Sequence, residues 1–210
     1  MPITVFLADD HEIVRHGVRG LLEREGFEIL GETGDGHVVL ERVPALNPQV
    51  AVLDISMPLL NGIDATRELA IASPRTRVVL LTRFADSLYV MGALRAGVRG
   101  YVLKTEAVAD LCRAIREVAA GRIYLSPGVS AAVVDRCLSP ATEEVDPLTR
   151  RERQVLQLVA EGRTTNQIGV LLGVSAKTAE SHRTALMAKL DLHDTASVVR
   201  YAIRHGLVQP

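Results

Sequence analysis

The sequence predicts an α/β protein, a doubly wound parallel sheet of five βα units followed by a small all-α domain of four helices. Three observations carry that prediction. Short apolar runs alternate with helix-period segments five times in the first 123 residues, as in a parallel sheet covered on both faces. Four of these runs end in a polar residue or pair: Asp9-Asp10, Asp54, Thr82 and Lys104. From Thr149 onward the helical period continues and the strand signal stops.

In chain order, strands are expected near 3–8, 27–31, 50–54, 77–82 and 99–103, and helices near 12–25, 36–46, 62–72, 86–97 and 106–120. Ile13, Val14, Val18, Leu21 and Leu22 share one face of the first helix. Val108, Leu111, Cys112, Ile115, Val118 and Ala119 do the same in the fifth. Gly26, Pro48, Pro74, Gly97 and Gly121 stand at predicted helix ends. The chain then divides into a first domain over 1–122, a linker over 123–146 and a helical domain over 147–210. The linker has room for one short helix, Ala131 to Leu138, before a polar, acidic run. Helices of the last domain are expected near 149–161, 165–171, 175–190 and 194–205; Gly173-Val174-Ser175 joins two of them as in a helix-turn-helix.

Bulk composition narrows the function classes. With 48% apolar residues and no Trp, the chain can build a core of Val, Leu, Ile and Ala. The net charge of −1 hides a split, because residues 147–210 hold nine Lys/Arg against five Asp/Glu. That basic end suits a polyanion partner. Cys112 and Cys137 lack metal-ligand spacing. Acidic residues at positions 9 and 10 argue against a secretory signal, and no apolar run approaches the roughly 18 residues of a membrane span. A cytoplasmic protein without membrane contact is the expectation.

In a parallel sheet the carboxyl ends of the strands line one crevice, so three carboxylates, a hydroxyl and an ammonium should meet there. Three carboxylates repel one another and call for a hard divalent cation, Mg²⁺ or Mn²⁺. Asp10 and Asp54 would bind it directly and Asp9 through water. Asp54, after the central strand, is placed as a nucleophile toward phosphorus. Lys104 would neutralise the transferring phosphoryl group and Thr82 would bond one of its oxygens.

These residues resemble the receiver domain of bacterial two-component response regulators. Asp9-Asp10, Asp54-Ile55-Ser56-Met57-Pro58 with Gly62, Leu81-Thr82 and Lys104 match the motif in order and spacing over residues 1–120. The resemblance implies a flavodoxin-like strand order of 2-1-3-4-5 and transfer of phosphate from a sensor histidine kinase to Asp54. It also implies that the Ser56 carbonyl is a metal ligand. Tyr101 would be a switch aromatic that turns inward as Thr82 moves toward phosphate, and Pro58 and Gly62 would shape the loop beyond the acceptor. An enzyme is not expected. A haloacid-dehalogenase-like phosphohydrolase needs a second Asp where Ser56 stands, and Gly31 to Gly36 lacks the Lys of a phosphate-binding loop. Intact Asp10, Asp54, Thr82 and Lys104 argue against a regulator with a vestigial acceptor under ligand or partner control. His11 and His16 read as solvent-face residues of the first helix, and Glu12 and Arg83 have no assigned role.

On the third helix of the last domain, Ala179, His182, Leu186 and Leu190 form the inward stripe, with Met187 beside it. Lys177, Glu180, Ser181 and Thr184 share the opposite face, and Ser175 can cap the helix. A solvated face of a plain bundle would show the same pattern. The segment resembles the LuxR-type DNA-binding domain of NarL/FixJ regulators over 147–209. The matching residues are Leu148 to Arg153, Val155-Leu156, Gly162, Ile168, Leu172 to Ser175, Thr178, Glu180, His182 and Lys189-Leu190. The resemblance implies contact with double-stranded promoter DNA by Lys177, Thr178, Glu180, Ser181 and Thr184. Arg183 and Lys189 would lie nearer the phosphate backbone, and a homodimer would form on phosphorylation. Gly169 and Ala179 stand where Ala and Val are usual; each is expected to remove packing volume and stability.

Overall fold

The computed structural model of the protein describes residues 1–85, 87–106, 108–130, 133, 147–205 and 207–208. The chain forms two compact units, Met1–Ala141 and Thr142–Pro210. The first contains β1 (Thr4–Ala8), α1 (Glu12–Arg24), β2 (Glu28–Thr33), α2 (Gly36–Leu46), β3 (Val50–Leu53), α3 (Gly62–Ala72), β4 (Arg77–Thr82), α4 (Ser87–Arg95), β5 (Gly100–Leu103), α5 (Val108–Ala119) and β6 (Tyr124–Leu125). The strands form one parallel sheet in the order β2-β1-β3-β4-β5-β6.

Alternation along each strand divides the core into two layers. Phe6, Ala8, Ala51, Leu53, Leu80 and Tyr101 point to one face and pack with Val39 and Val43 of α2, Leu69 of α3 and Val90 of α4. Val5, Leu7, Val50, Val52, Val79 and Val102 point to the other and pack with Leu22 of α1 and Leu111, Ile115 and Val118 of α5. Burial on both faces is why the strands read as unbroken apolar runs. Register aligns the carboxyl ends: Ala8 lies beside Leu53, and Thr82 beside Leu103.

Two features differ from expectation, and a third expected feature falls mostly outside the described residues. The expected order of five strands is present with a sixth added. Tyr124 and Leu125 pair with Gly100 and Tyr101 inside what the sequence offers as linker. Two residues are too few to show alternation; the open edge of β5 supplies the pairing. Ser126 N continues it by donating to Tyr101 O at 3.0 Å. The Tyr124 hydroxyl donates to Asp110 Oδ1 at 2.9 Å, and burial plus that carboxylate push its pKa up to about 12. Ile13, expected inward, is 89% exposed, because the first turn of α1 has no core beneath it. Of the helix expected over 131–138, only Val133 is described, and it packs against the first core layer; Cys137 lies outside the described residues.

The second unit contains α6 (Arg150–Ala160), α7 (Thr165–Leu172), α8 (Ala176–Lys189) and α9 (Thr195–Arg204). Each start is capped: Thr149 with Glu152 and Thr164 with Gln167 form capping boxes, and Ser175 and Asp194 accept from Thr178 N and Ser197 N. Gly173 closes α7 at φ 65°, a left-handed conformation that glycine adopts without strain. Val155, Leu156, Ile168, Ala179, Leu186, Val198 and Ala202 are buried. Gly169 overturns the idea of lost volume. A Cβ there would lie 2.9 Å from the Val174 carbonyl oxygen, so the turn into α8 closes directly on α7 and leaves no space for a methyl group.

Candidate functional site

Four strand ends meet at the top of the sheet. Asp9 follows β1, Asp54 follows β3, Thr82 ends β4 and Lys104 follows β5. Backbone hydrogen bonds extend the ladder through the site: Asp54 N donates to Ala8 O at 2.8 Å and Lys104 N to Thr82 O at 2.6 Å. Asp9, Asp54 and Thr82 are 1%, 3% and 0% exposed. The Lys104 ammonium stands 2.7 Å from Asp9 Oδ2 and 2.8 Å from Asp54 Oδ2. Only the Asp54 contact is also an aligned hydrogen bond.

Charge and burial oppose each other here. Burial pushes the Asp54 carboxyl above its ordinary value; Lys104 pulls it back, while Asp9 and Asp10 add to the push. Burial acts to lower the Lys104 ammonium, but Asp54 and Asp9 outweigh it and raise its pKa above the ordinary lysine value. The ammonium therefore keeps its charge through neutral pH.

Asp10 lies at the exposed rim, where its Oδ1 is 2.6 Å from His11 Nδ1. Ligand atoms of Asp9, Asp10, His11 and Asp54 all lie within 4.8 Å of one another. A divalent cation fits this donor set. Asp9 Oδ2 is buried, and among the described residues no hydrogen bond reaches it. Ser56 is buried two residues past Asp54, and among the described residues its hydroxyl also lacks a hydrogen-bond partner.

Two glycines hold the acceptor loop. Gly62, the first residue of α3, approaches so closely that a Cβ would lie 2.2 Å from Asp54 O; its N–H donates to Ile55 O at 2.9 Å. On the other side a Cβ at Gly36, the first residue of α2, would meet Leu60 O at 1.9 Å. The sequence marks Gly62 but offers Gly36 only as the start of the second helix, since a close approach between distant segments leaves no local signal.

Tyr101 is fully buried and its hydroxyl donates to Phe84 O at 2.8 Å. Phe84 N in turn donates to Thr82 Oγ1 at 3.2 Å. Phe84 thus joins the threonine to the tyrosine, a link that sequence spacing did not suggest. His11 also differs from expectation. It is the residue before α1, bonded to the acids, and does not lie on the helix's solvent face. His16 faces Glu32 at 3.6 Å, and Glu12 and Arg83 are exposed.

In the second unit, Lys177, Glu180, Ser181 and Thr184 are exposed on one face of α8 and line an open groove with Ala185 and Ala188. Ala179 and Leu186 are buried behind them. Thr178, exposed, holds its hydroxyl 2.8 Å from that of Ser175. Glu180 accepts from Thr165 Oγ1 at 2.9 Å. Arg183 and Lys189 are engaged within the domain: Arg183 donates to Thr195 Oγ1 at 3.0 Å, and Lys189 Nζ to Glu152 Oε2 at 2.7 Å. Burial acts to raise the Glu152 carboxyl, but Lys189 and Thr149 win and hold it below the ordinary range.

Comparison with known proteins agrees with both halves. The response regulator receiver domain family matches residues 5–116, and the luxR family of bacterial regulatory proteins matches residues 146–202. The chain belongs to the two-component response regulators that join a receiver to a LuxR-type DNA-binding domain, and is a transcriptional regulator. It is 38% identical to the transcriptional regulatory protein MctR of Rhizobium johnstonii, over 98% of this chain and 95% of that one. It is 36% identical to LiaR of Bacillus subtilis, over 98% and 99%. Among solved structures it is similar to RcsB of Salmonella enterica serovar Typhimurium bound to promoter P1flhDC in the presence of phosphomimetic BeF₃⁻. That likeness has a TM-score of 0.62 at 28% identity, over 96% of this chain and 98% of that one. No described helix is long and apolar enough to cross a membrane.

Proposed function

We propose that Asp54 accepts a phosphoryl group from a phosphohistidine of a sensor histidine kinase, and that this controls promoter binding through α8. The observation that carries the reading is the Lys104 ammonium held within 2.8 Å of both Asp9 and Asp54 at the strand ends. An Asp54 oxygen attacks phosphorus, the new O–P bond forms, and the N–P bond to the histidine breaks. Asp9, Asp10, Asp54 and the Ser56 carbonyl would hold Mg²⁺ or Mn²⁺, which supplies charge neutralisation on the phosphoryl oxygens. Lys104 swings from its carboxylates to a phosphoryl oxygen, and the Thr82 hydroxyl donates to another.

The path onward runs through Phe84. Moving the Thr82 hydroxyl withdraws the acceptor of Phe84 N–H, and Phe84 carries the carbonyl that receives the Tyr101 hydroxyl. Tyr101 belongs to β5, the strand that pairs with β6 at the start of the linker. The phosphoryl group then biases a two-state equilibrium toward a homodimer, in which two α8 helices engage paired half-sites of double-stranded DNA. Lys177, Thr178, Glu180, Ser181 and Thr184 face the groove, with Arg183 and Lys189 beside the phosphates. The division is an acceptor domain over 1–122 whose sheet is completed by β6 from the start of the linker over 123–146, and a DNA-reading domain over 147–210, in a cytoplasmic protein. Labelling is then stoichiometric and is lost only by slow self-hydrolysis, whereas a phosphohydrolase would turn over small phosphate esters.

Intact mass measured after incubation with a small phosphoryl donor and Mg²⁺ tests the assignment. One phosphoryl adduct is expected on the wild type and none on Asp54→Asn. An adduct on both would remove Asp54 from its role.

A further inference from the structure

The donor set at the rim contains a nitrogen that the acceptor chemistry does not use. His11 precedes α1, yet its side chain makes no capping bond to the helix, unlike Asn61 before α3 or Ser175 before α8. The ring turns to the acids. Its backbone N–H donates to Asp9 Oδ1 at 2.9 Å, which fixes the residue over the crevice. Nδ1 lies 2.6 Å from Asp10 Oδ1 and 3.5 Å from Asp9 Oδ1. Metal bonds of about 2.1 Å at right angles place adjacent donors about 3 Å apart. These two spacings bracket that edge, so shifts of a few tenths of an ångström bring the nitrogen and both oxygens onto one ion. The side chain is 47% exposed, so Nε2 can carry the ring proton toward water while Nδ1 binds.

We propose that His11 is a nitrogen ligand of the cation held by Asp9, Asp10 and Asp54, and that it tilts the site from Mg²⁺ toward first-row transition ions such as Zn²⁺. This rests on the acceptor-site reading above. A set of carboxylates and carbonyls suits Mg²⁺, Ca²⁺ or Mn²⁺; one imidazole adds affinity for the borderline ions and almost none for Mg²⁺. On the oxygen side, Asp9 Oδ1 faces the His11 nitrogen, while the buried Oδ2 of the same carboxylate is held 2.7 Å from the Lys104 ammonium.

The test uses the untagged full chain, in wild-type form and as His11→Asn. Asparagine keeps an N–H that can bond Asp10 and is a good residue before a helix, so a purely positioning role survives while the imidazole donor is lost. Zn²⁺ and Mg²⁺ affinities are measured by competition with a chromogenic chelator, with His16→Asn as control for surface binding. Expected is a loss of about tenfold or more for Zn²⁺ in His11→Asn, with Mg²⁺ changed by less than about twofold and His16→Asn like wild type. Mn²⁺ spin-echo spectra should show nitrogen coupling in the wild type and lose it in His11→Asn. Equal losses for Zn²⁺ and Mg²⁺, no loss for either, or nitrogen coupling that persists in His11→Asn would overturn the ligand role and leave the acceptor site standing. Failure of Mg²⁺ to bind the wild type would instead overturn the acceptor site itself, and this inference with it.

Discussion

The crevice and the α8 face handle charge in opposite ways. In the crevice, Asp9, Asp54 and Thr82 are nearly out of water and come from three different strand ends. On α8, Lys177, Glu180, Ser181 and Thr184 all stand in water on one helix. The first site exists only because the whole sheet has folded, and its charges must answer one another. The second needs a helix with a cap at one end and Ala179 and Leu186 behind it. Function and stability are therefore coupled in the crevice and separable on α8.

The largest test of that contrast is Lys104→Met. It leaves two buried carboxylates without their shared cation and should cost about 3–5 kcal/mol in urea denaturation, with part recovered on adding Mg²⁺. A cost below about 1 kcal/mol, the size of a surface ion pair, would mean the crevice is no more coupled than an exposed site. Gly169→Ala comes next. Its methyl would press on the Val174 carbonyl and should cost about 1–3 kcal/mol, where the family's usual Ala would otherwise suggest a gain; unfolding of the chain and its variant compared side by side decides the sign.

Asp54→Asn acts on pH dependence. A carboxyl raised above its unfolded value holds its proton more tightly when folded. Its contribution to stability is thus full below the ordinary carboxylate value and is lost as pH rises through the folded value. The variant should flatten that fall and, in metal-free buffer at neutral pH, be the more stable protein. An unchanged slope would show that Lys104 fully offsets burial. Thr184→Ala is the smallest in stability, within about 0.5 kcal/mol, yet it should change the preferred DNA sequence in a binding selection. Unaltered preference would show that this face is not the reader.

How much of this the sequence displays follows the same divide. Strands buried on both faces are unbroken apolar runs, so β1, β3, β4 and β5 and the polar residues closing them are legible in one dimension. Helix starts are equally local, since Thr149 with Glu152 and Ser175 with Thr178 lie within one turn. What stays hidden is made by approach of distant segments. Gly36 meets Leu60, Phe84 joins Thr82 to Tyr101, and Lys189 reaches back to Glu152 across 37 residues. His11 is hidden for a different reason. Helical periodicity assigns it to a solvent face, but it sits one residue before the period begins.

The short pairing of Tyr124 and Leu125 along β5 bears on how the first half can be handled alone. A fragment stopped at residue 122 strips the outermost strand and bares the N–H and C=O groups of Gly100 and Tyr101, and an uncovered edge of that kind recruits another chain. Such a piece would self-associate through an artificial seam beside Lys104. A cut after residue 130 keeps the edge closed and the buried Val129 in place.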